Sequence, residues 1–252
     1  TDWPISNQSG EKKVLILPSS RSEVVGHPDW DSEWNDYTIP FKKLIDKLKI
    51  QYNKCILRCH PGWSRKIGAI KKDTIEEHYV KWANKLGIYV IPSHSNVSTY
   101  DLIREADIIV VNGSSTAIES AIQGKLVICM GNSSYSSYNF LINIKSDDDW
   151  HKIKLINKHN PRETIRNVLR VMYSANYRHT QFNQFVEAKE SLRSKYYEGA
   201  DPDRLINILT SGSLNADDDT FSPDIKEEDE IIDLIINENY EEIINYELPI
   251  EK

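Results

Sequence analysis

The 252-residue chain predicts an α/β domain built on a doubly wound parallel sheet of about five or six strands, followed by packed helices. Three observations point there. Short continuous apolar runs recur along the first half of the chain. Segments with helical period separate them, and each run ends in a polar, turn-forming loop.

The first apolar run is KKVLILP at 12–18. CILRCHP (55–61), IYVIP (88–92), DIIVV (107–111) and KLVICM (125–130) repeat the type. Consecutive rather than alternating apolar residues fit strands covered on both faces. Helix-period segments lie between, at about 36–52, 64–86, 99–105 and 116–123. In the second of these, Tyr79, Trp82 and Leu86 recur at spacings of three and four before Gly87 stops the helix. Strand and helix alternate in the order of a Rossmann-like domain, which holds its ligand at the carboxyl ends of the strands.

After Met130 the pattern is of helices only. NPRETIRNVLRVMY offers Asn160 as N-cap, Pro161 as the first helical residue and Glu163 in the first turn. YRHTQFNQFVEAKESLRSKYY reads as a helix ending at Gly199, and DPDRLINIL starts another at Asp201 and Pro202. SGSLNADDDTFSP is a linker by composition. Beyond it, Ile232, Ile235, Ile236, Ile243 and Ile244 fall near one helical face. Two readings of that segment stand: an acidic helix that docks weakly, or a strap onto another domain or subunit. The expected divisions are a linker over 1–11, the Rossmann-like domain with its helical part over 12–214, and an acidic tail over 215–252.

Composition narrows the classes. With 39% hydrophobic and 10% aromatic residues, the chain can bury a sizeable core and is not a disordered one. No run of about 18 apolar residues exists to span a membrane, and no signal peptide is visible at the Thr1 end. Three cysteines, Cys55, Cys59 and Cys129, fit buried thiols in a reducing compartment better than disulfides. A cytoplasmic protein is expected. The charge is divided unevenly: of 31 basic and 38 acidic residues, the segment from Asn215 onward holds 2 and 14. The body is therefore mildly basic, suiting a small anionic ligand or a lipid headgroup surface, and too weakly so for nucleic acid.

The strand ends carry the chemistry. Ser19-Ser20-Arg21-Ser22-Glu23 follows the first strand, and Arg58-Cys59-His60-Pro61-Gly62 the second. Ser93-His94-Ser95-Asn96, then Ser98-Thr99, follows the third, and Asn112-Gly113-Ser114-Ser115-Thr116 the fourth. In a parallel sheet these loops converge on one edge, where hydroxyls, main-chain N–H groups, arginine and histidine together make an anion site. No Gly-x-Gly-x-x-Gly follows a strand and no P-loop is present, which disfavours a dinucleotide or P-loop site. Plainer explanations compete. Thr116 and Glu119 have capping-box spacing, as do Ser98 and Asp101, although a box leaves Ser114 and Ser115 unexplained. His60 could be a turn histidine, and His78 and His179 read as solvated. GSSTA also mimics a nucleophile elbow, with Ser115 as a hydrolase nucleophile and Asp149 and His159 completing a triad.

Taken together, LILPSSRSE, LRCHPGW and STYDLIREADIIVVNGSSTAIESAIQGKLVI resemble the carboxyl-terminal, donor-binding half of bacterial GT-B glycosyltransferases. The likeness is nearest to capsule and lipopolysaccharide Kdo transferases and covers about residues 12–135. Its most specific parts are His60-Pro61, similar to the HP motif of CMP-sugar enzymes, and the Ser-Ser-Thr…Glu element at 114–119. The second element is shared with CDP-glycerol glycerophosphotransferases and other GT-B families. The resemblance implies a CMP-activated sugar, CMP-Kdo, as donor, with a CDP-glycerol or UDP-sugar enzyme as the alternative. It implies that His60 stabilises the departing CMP phosphate as catalytic residue. Ser114, Ser115 and Thr116, with Asn112 and Gly113 in the same turn, would hold that phosphate, and Glu119 the ribose hydroxyls. Ser19, Ser20 and Arg21, with Arg58 and Pro61, would border sugar and phosphate, and the loop holding Ser95 and Asn96 would edge the cytosine. No metal or other cofactor is implied. The implied partners are a nucleotide sugar, a glycan or lipid-linked glycan acceptor, and an amino-terminal GT-B domain in the same or another chain. Peripheral contact with the inner membrane is compatible with such an acceptor.

Overall fold

Strands β1 (Val14–Leu17), β2 (Cys55–Arg58), β3 (Tyr89–Ile91), β4 (Ile108–Val111), β5 (Leu126–Met130) and β6 (Ile142–Ile144) form one sheet in the order β3-β2-β1-β4-β5-β6. All neighbours are parallel. The computed structural model describes residues 3–6, 10–19, 32–64, 73–173, 186–190, 193–196, 202–211 and 225–244.

The apolar runs become strands because both faces of each are covered. Every residue of β1, β2, β4, β5 and β6 is buried. Side chains alternate between two cores. Val14 and Ile16 pack with Phe41 and Leu44 of α1 (Thr38–Leu48) and with Tyr79 and Ala83 of α2 (Asp73–Leu86). Leu15 and Leu17 pack with Leu102 and Ile103 of α3 (Thr99–Glu105) and with Ala117 and Ala121 of α4 (Thr116–Ile122). Helix α5 (Pro161–Tyr173) adds Val168 to that second core. Two of the expected helix starts are capped as the sequence suggests. Ser98 Oγ accepts from Asp101 N–H at 3.2 Å, and Asn160 Oδ1 from Arg162 N–H at 3.0 Å.

Two segments depart from the expectation of helices alone after Met130. Ile142–Ile144 adds a sixth strand beside β5. Three residues are too few for a period to show, and the pairing comes from the free edge of β5 rather than from local preference. Val186–Glu190 (β7) and Arg193–Tyr196 (β8) pair antiparallel where one long helix is expected. That stretch is mostly polar, so its helical spacing is a weak signal that strand pairing overrides.

The acidic tail docks on its own chain. It forms α7 (Ile225–Ile236) and α8 (Tyr240–Ile244), separated where Glu238 takes φ 56°. Ile232 and Ile235 bury against Ile165 of α5, whereas Ile236 stays 47% exposed. A ladder of arginines spaced four apart on α5 meets the acids of α7. Arg166 reaches Glu228 at 3.1 Å and Asp229 at 2.6 Å, Arg170 reaches Glu228 at 2.8 Å, and Arg162 pairs with Asp233. Charge complementarity and a small apolar contact thus join the tail to α5 in one chain. Helix α6 (Pro202–Ser211) starts at the expected proline.

All three cysteines are free and buried. Burial pushes the Cys55 and Cys59 thiols up to about 12 and that of Cys129 to about 11, so they are packing groups rather than nucleophiles. Among the described residues no helix is long and apolar enough to cross a membrane.

The chain runs outward from β1 through β2 to β3, then crosses back to place β4 on the other side of β1. The strand order reverses between β1 and β4. In such sheets the ligand crevice lies at that point, beyond the carboxyl ends of the strands.

Candidate functional site

That crevice holds a cavity of about 250 Å³. Leu17 and Pro18 close it from the end of β1, and Arg58, Cys59, His60 and Pro61 from the end of β2. Ser114, Ser115, Thr116 and Glu119 line it from the turn after β4, and Thr99 and Tyr100 from the start of α3. Loops more than fifty residues apart in sequence meet at one rim.

The turn after β4 is built by its own side chains. Gly113 takes φ +100°, a left-handed conformation that lets the chain leave the strand sharply. Ser114 Oγ accepts from Thr116 N–H at 3.3 Å and from the Thr116 hydroxyl at 2.7 Å. The Ser114 carbonyl accepts from the buried Tyr135 hydroxyl at 2.5 Å. The Thr116 hydroxyl is therefore engaged with Ser114, and no capping box with Glu119 forms. Ser115 precedes the helix at φ −57°, ψ −21° with no side-chain cap, and it is exposed to the cavity.

The Glu119 carboxyl has no hydrogen-bond partner among the described residues and faces the cavity from the first turn of α4. Burial pushes its carboxyl above the ordinary carboxylate range. The folded protein holds that proton more tightly than the unfolded chain does. Its effect on stability is thus absent at low pH and becomes destabilising as pH rises past the unfolded value. Glu119→Gln is expected to raise the melting temperature at neutral pH and to leave it unchanged below about pH 4. Calorimetric scans of both proteins across that range check it.

His60 stands at the end of β2, before a 3₁₀ turn over Pro61–Ser64. Its ring is exposed, and Nδ1 accepts from Gly62 N–H at 3.0 Å. Beneath it, Trp63 is buried and stacks on Tyr79 with ring centroids 5.5 Å apart. A rigid aromatic pair therefore supports the loop that presents the imidazole.

Arg58 borders the cavity, but its guanidinium faces the β3–α3 loop. Nη1 donates to the Pro92 carbonyl at 2.5 Å, and Nη2 to those of Ser95 and Val97 at 3.1 and 3.4 Å. The side chain is 3% exposed and burial lowers its pKa. It holds the loop's shape and lends the wall a positive charge. Glu76 grips the same loop, taking Ser93 N–H at 2.7 Å and the Ser93 hydroxyl at 2.5 Å.

Of the residues singled out in the sequence, His60, Pro61, Arg58, Ser114, Ser115, Thr116 and Glu119 meet at the cavity. Ser19, Ser95, Asn96, Asn112 and Gly113 do not line it. Asn112 instead ties β4 to β1: Oδ1 accepts from Ser19 N–H at 2.6 Å, and Nδ2 donates to the Ser19 carbonyl at 3.2 Å. Ser95 Oγ accepts from Val97 N–H at 3.3 Å within its own loop. Ser20 and Arg21 lie outside the described residues. Thr99, which follows the third strand's loop, lines the cavity, and Tyr100 beside it does so without having been singled out. The signal was the bulky aromatic in the first helical turn after a strand-end loop, and Tyr100 is 60% exposed there.

The hydrolase arrangement does not assemble. Ser115 has ordinary right-handed helical angles rather than the strained backbone of a nucleophile elbow. Asp149 pairs with Lys152 at 2.7 Å, and His159 lines a different cavity, formed by β5, β6 and α5. Among the described residues no three His, Cys, Asp or Glu side chains cluster as a metal site requires.

The strand order, both covered faces and the crevice at the point of reversal define a Rossmann-like α/β domain. No protein-family profile and no curated protein matches the chain. Among solved structures it is similar to a Thermosulfurimonas dismutans KpsC beta Kdo 2,7 transferase, at 20% identity and a TM-score of 0.36, over 55% of this chain and 41% of that one. A KpsC beta Kdo 2,4 transferase from the same organism aligns at 15% identity and 0.33, over 56% and 40%. A Listeria monocytogenes protein assigned as a UDP-N-acetylglucosamine 2-epimerase aligns at 11% identity and 0.36, over 68% and 46%. The chain thus spans less than half the length of each of these proteins.

Proposed function

We propose that this domain binds the donor of a GT-B glycosyltransferase of bacterial capsule or lipopolysaccharide synthesis, acting in the cytoplasm with CMP-Kdo or a related CMP-sugar as donor. The observation that carries the reading is the meeting on one cavity of His60, the Ser114–Thr116 hydroxyls and the Glu119 carboxylate, which is unpaired among the described residues.

Each group has a task that its chemistry suits. Ser115 offers a hydroxyl, and the Ser114–Thr116 pair a preformed polar edge, to phosphate oxygens. His60 adds an imidazole on the facing wall. Helix α4 is only two turns long, so its dipole is a minor contributor and the side chains dominate. Glu119 accepts hydrogen bonds only, and two adjacent ribose hydroxyls are the matching donors. The exposed Tyr100 ring at the lip gives the base a surface to stack on. About 250 Å³ lies at the small end of ligand cavities and fits a mononucleotide better than a dinucleotide. Transfer then proceeds as the bond from sugar to phosphate breaks, with positioned donors stabilising the charge that gathers on the leaving CMP. No metal or other cofactor enters this scheme. The acceptor, a glycan or lipid-linked glycan at the membrane surface, is presented by a second, amino-terminal GT-B domain. The domain alone binds nucleotide and transfers nothing.

Thermal unfolding with CMP, CDP, UDP and GDP tests the reading. A ligand that binds only the folded state raises the midpoint, stabilising that state by about 2.7 kcal/mol at a hundredfold excess over its dissociation constant. CMP is expected to give the largest rise. A larger rise with UDP removes the CMP assignment and favours a UDP-sugar enzyme; no rise with any of the four removes the nucleotide reading.

A further inference from the structure

We infer that Glu76 is a positioning residue for the lip of the cavity. By gripping Ser93 through both carboxylate oxygens it holds the β3–α3 loop, and with it the Tyr100 ring, where a ligand's base meets that ring. The inference deepens the nucleotide reading above and, for its effect on affinity, rests on it.

Glu76 belongs to α2 and is not among the residues that line the cavity. Its Oε1 accepts from Ser93 N–H at 2.7 Å, and its Oε2 from the Ser93 hydroxyl at 2.5 Å. Ser93 is buried, so both of its donors depend on partners within the protein. A carboxylate acceptor makes such bonds shorter and stronger than a neutral one does. From β2, the Arg58 guanidinium takes the carbonyls of Pro92, Ser95 and Val97 in the same loop. An acid thus holds the loop's donors and a base its acceptors, each sent from a different element. The loop also bonds within itself: Ser95 N–H donates to the Pro92 carbonyl at 3.1 Å, and Val97 N–H to Ser95 Oγ at 3.3 Å.

Fixing the loop fixes the lip. Ser98 caps α3, and Tyr100 is the second residue of that helix. Leu102 and Ile103 bury the middle of this short helix, whereas its first turn follows the path of the loop. Tyr100 is well exposed, so its backbone does more than packing to place the ring. A ring already in place when the base stacks on it spares the complex the cost of ordering it. Releasing Ser93 restores that cost.

Titration calorimetry of Glu76→Ala with CMP, cytidine and ribose 5-phosphate tests the inference. CMP and cytidine share the base, which ribose 5-phosphate lacks. Affinity for the first two is expected to fall by the same factor, about fivefold to tenfold, with that for ribose 5-phosphate little changed. In a Tyr100→Ala background the same substitution should cost no further CMP affinity. Glu76→Gln should restore most of the affinity, because its amide oxygen accepts from Ser93 N–H while its NH₂ group donates to the Ser93 hydroxyl oxygen. Ser93→Ala removes one of the two bonds and should show the alanine pattern at smaller size, even where Glu76→Ala fails to fold. Equal losses for all three ligands overturn the inference. So does a loss that adds fully to that of Tyr100→Ala, or a glutamine variant as weak as the alanine one. NMR of the Tyr100 ring in the ligand-free chain, with Tyr100→Phe identifying its signals, gives a reading that needs no nucleotide. Those signals should move in Glu76→Ala and stay in Glu76→Gln. If the unaltered chain ignores CMP, the nucleotide reading fails; ring signals that move in Glu76→Ala still uphold the positioning role, and ring signals that stay overturn it.

Discussion

Replacing Asn112 by leucine is expected to lower stability by about 2–6 kcal/mol. Asn112 is 1% exposed and Ser19 5%, so neither end of this contact can turn to water. Asparagine meets the Ser19 N–H and C=O at once, as a main-chain pair would. Leucine has nearly the same volume and satisfies neither. Two buried main-chain groups are stranded at about 1–3 kcal/mol each. For a chain of this size the melting temperature should fall by about 5–15 °C, which differential scanning calorimetry measures directly. The brace crosses the point of strand reversal, where Leu17 and Pro18 face Ser114 over the cavity. On the nucleotide reading the variant should also lose CMP affinity as the walls part. A fall of under about 1 °C would mean that the brace carries little of the rim's stability.

Replacing His60 by alanine is expected to do the reverse: to remove ligand affinity and leave the fold intact. The ring is exposed at a strand end, and its Nδ1 accepts from Gly62 N–H of the neighbouring turn. Surface losses of this kind are usually within about 0.5 kcal/mol. On the nucleotide reading, the variant loses a hydrogen bond to a charged phosphate, worth about 1.5–3 kcal/mol, or roughly tenfold to a hundredfold in CMP affinity. On the same reading, the loss in turnover of a complete transferase should be larger, because charge on the phosphate grows as the sugar departs. Titration calorimetry on the chain and a transfer assay with the acceptor domain present separate the two effects. Cytidine, which lacks the phosphate, should bind both proteins alike. A variant that unfolds would show His60 to be structural; one that binds CMP normally would remove it from the site.

The strands β1 to β5 and the helices between them were legible because burial on both faces leaves a local trace, consecutive apolar residues. The convergence of His60 with Ser114–Thr116 was legible too, since parallel strands send their following loops to a single edge. The role of Arg58 was not. A strand-end arginine reads as an anion contact, and only the path of the β3–α3 loop supplies the carbonyls of Pro92, Ser95 and Val97 that occupy it. Asn112 misled for the same reason, as its partner lies 93 residues away. Glu119 had a complete local explanation in the capping box, and the Thr116 hydroxyl cancels it by turning to Ser114.

By itself the sequence determined the doubly wound sheet, the edge on which its polar loops gather and the burial of its cysteines, because each depends on patterns within a few residues. Only the tertiary structure decided which of those polar groups are spent on the protein and which are left for a ligand. Arg58 and Asn112 find main-chain partners across the sheet, whereas Glu119 finds none among the described residues. The physical reason is that a buried polar group must be paired, and its partner is brought by the fold from any distance along the chain.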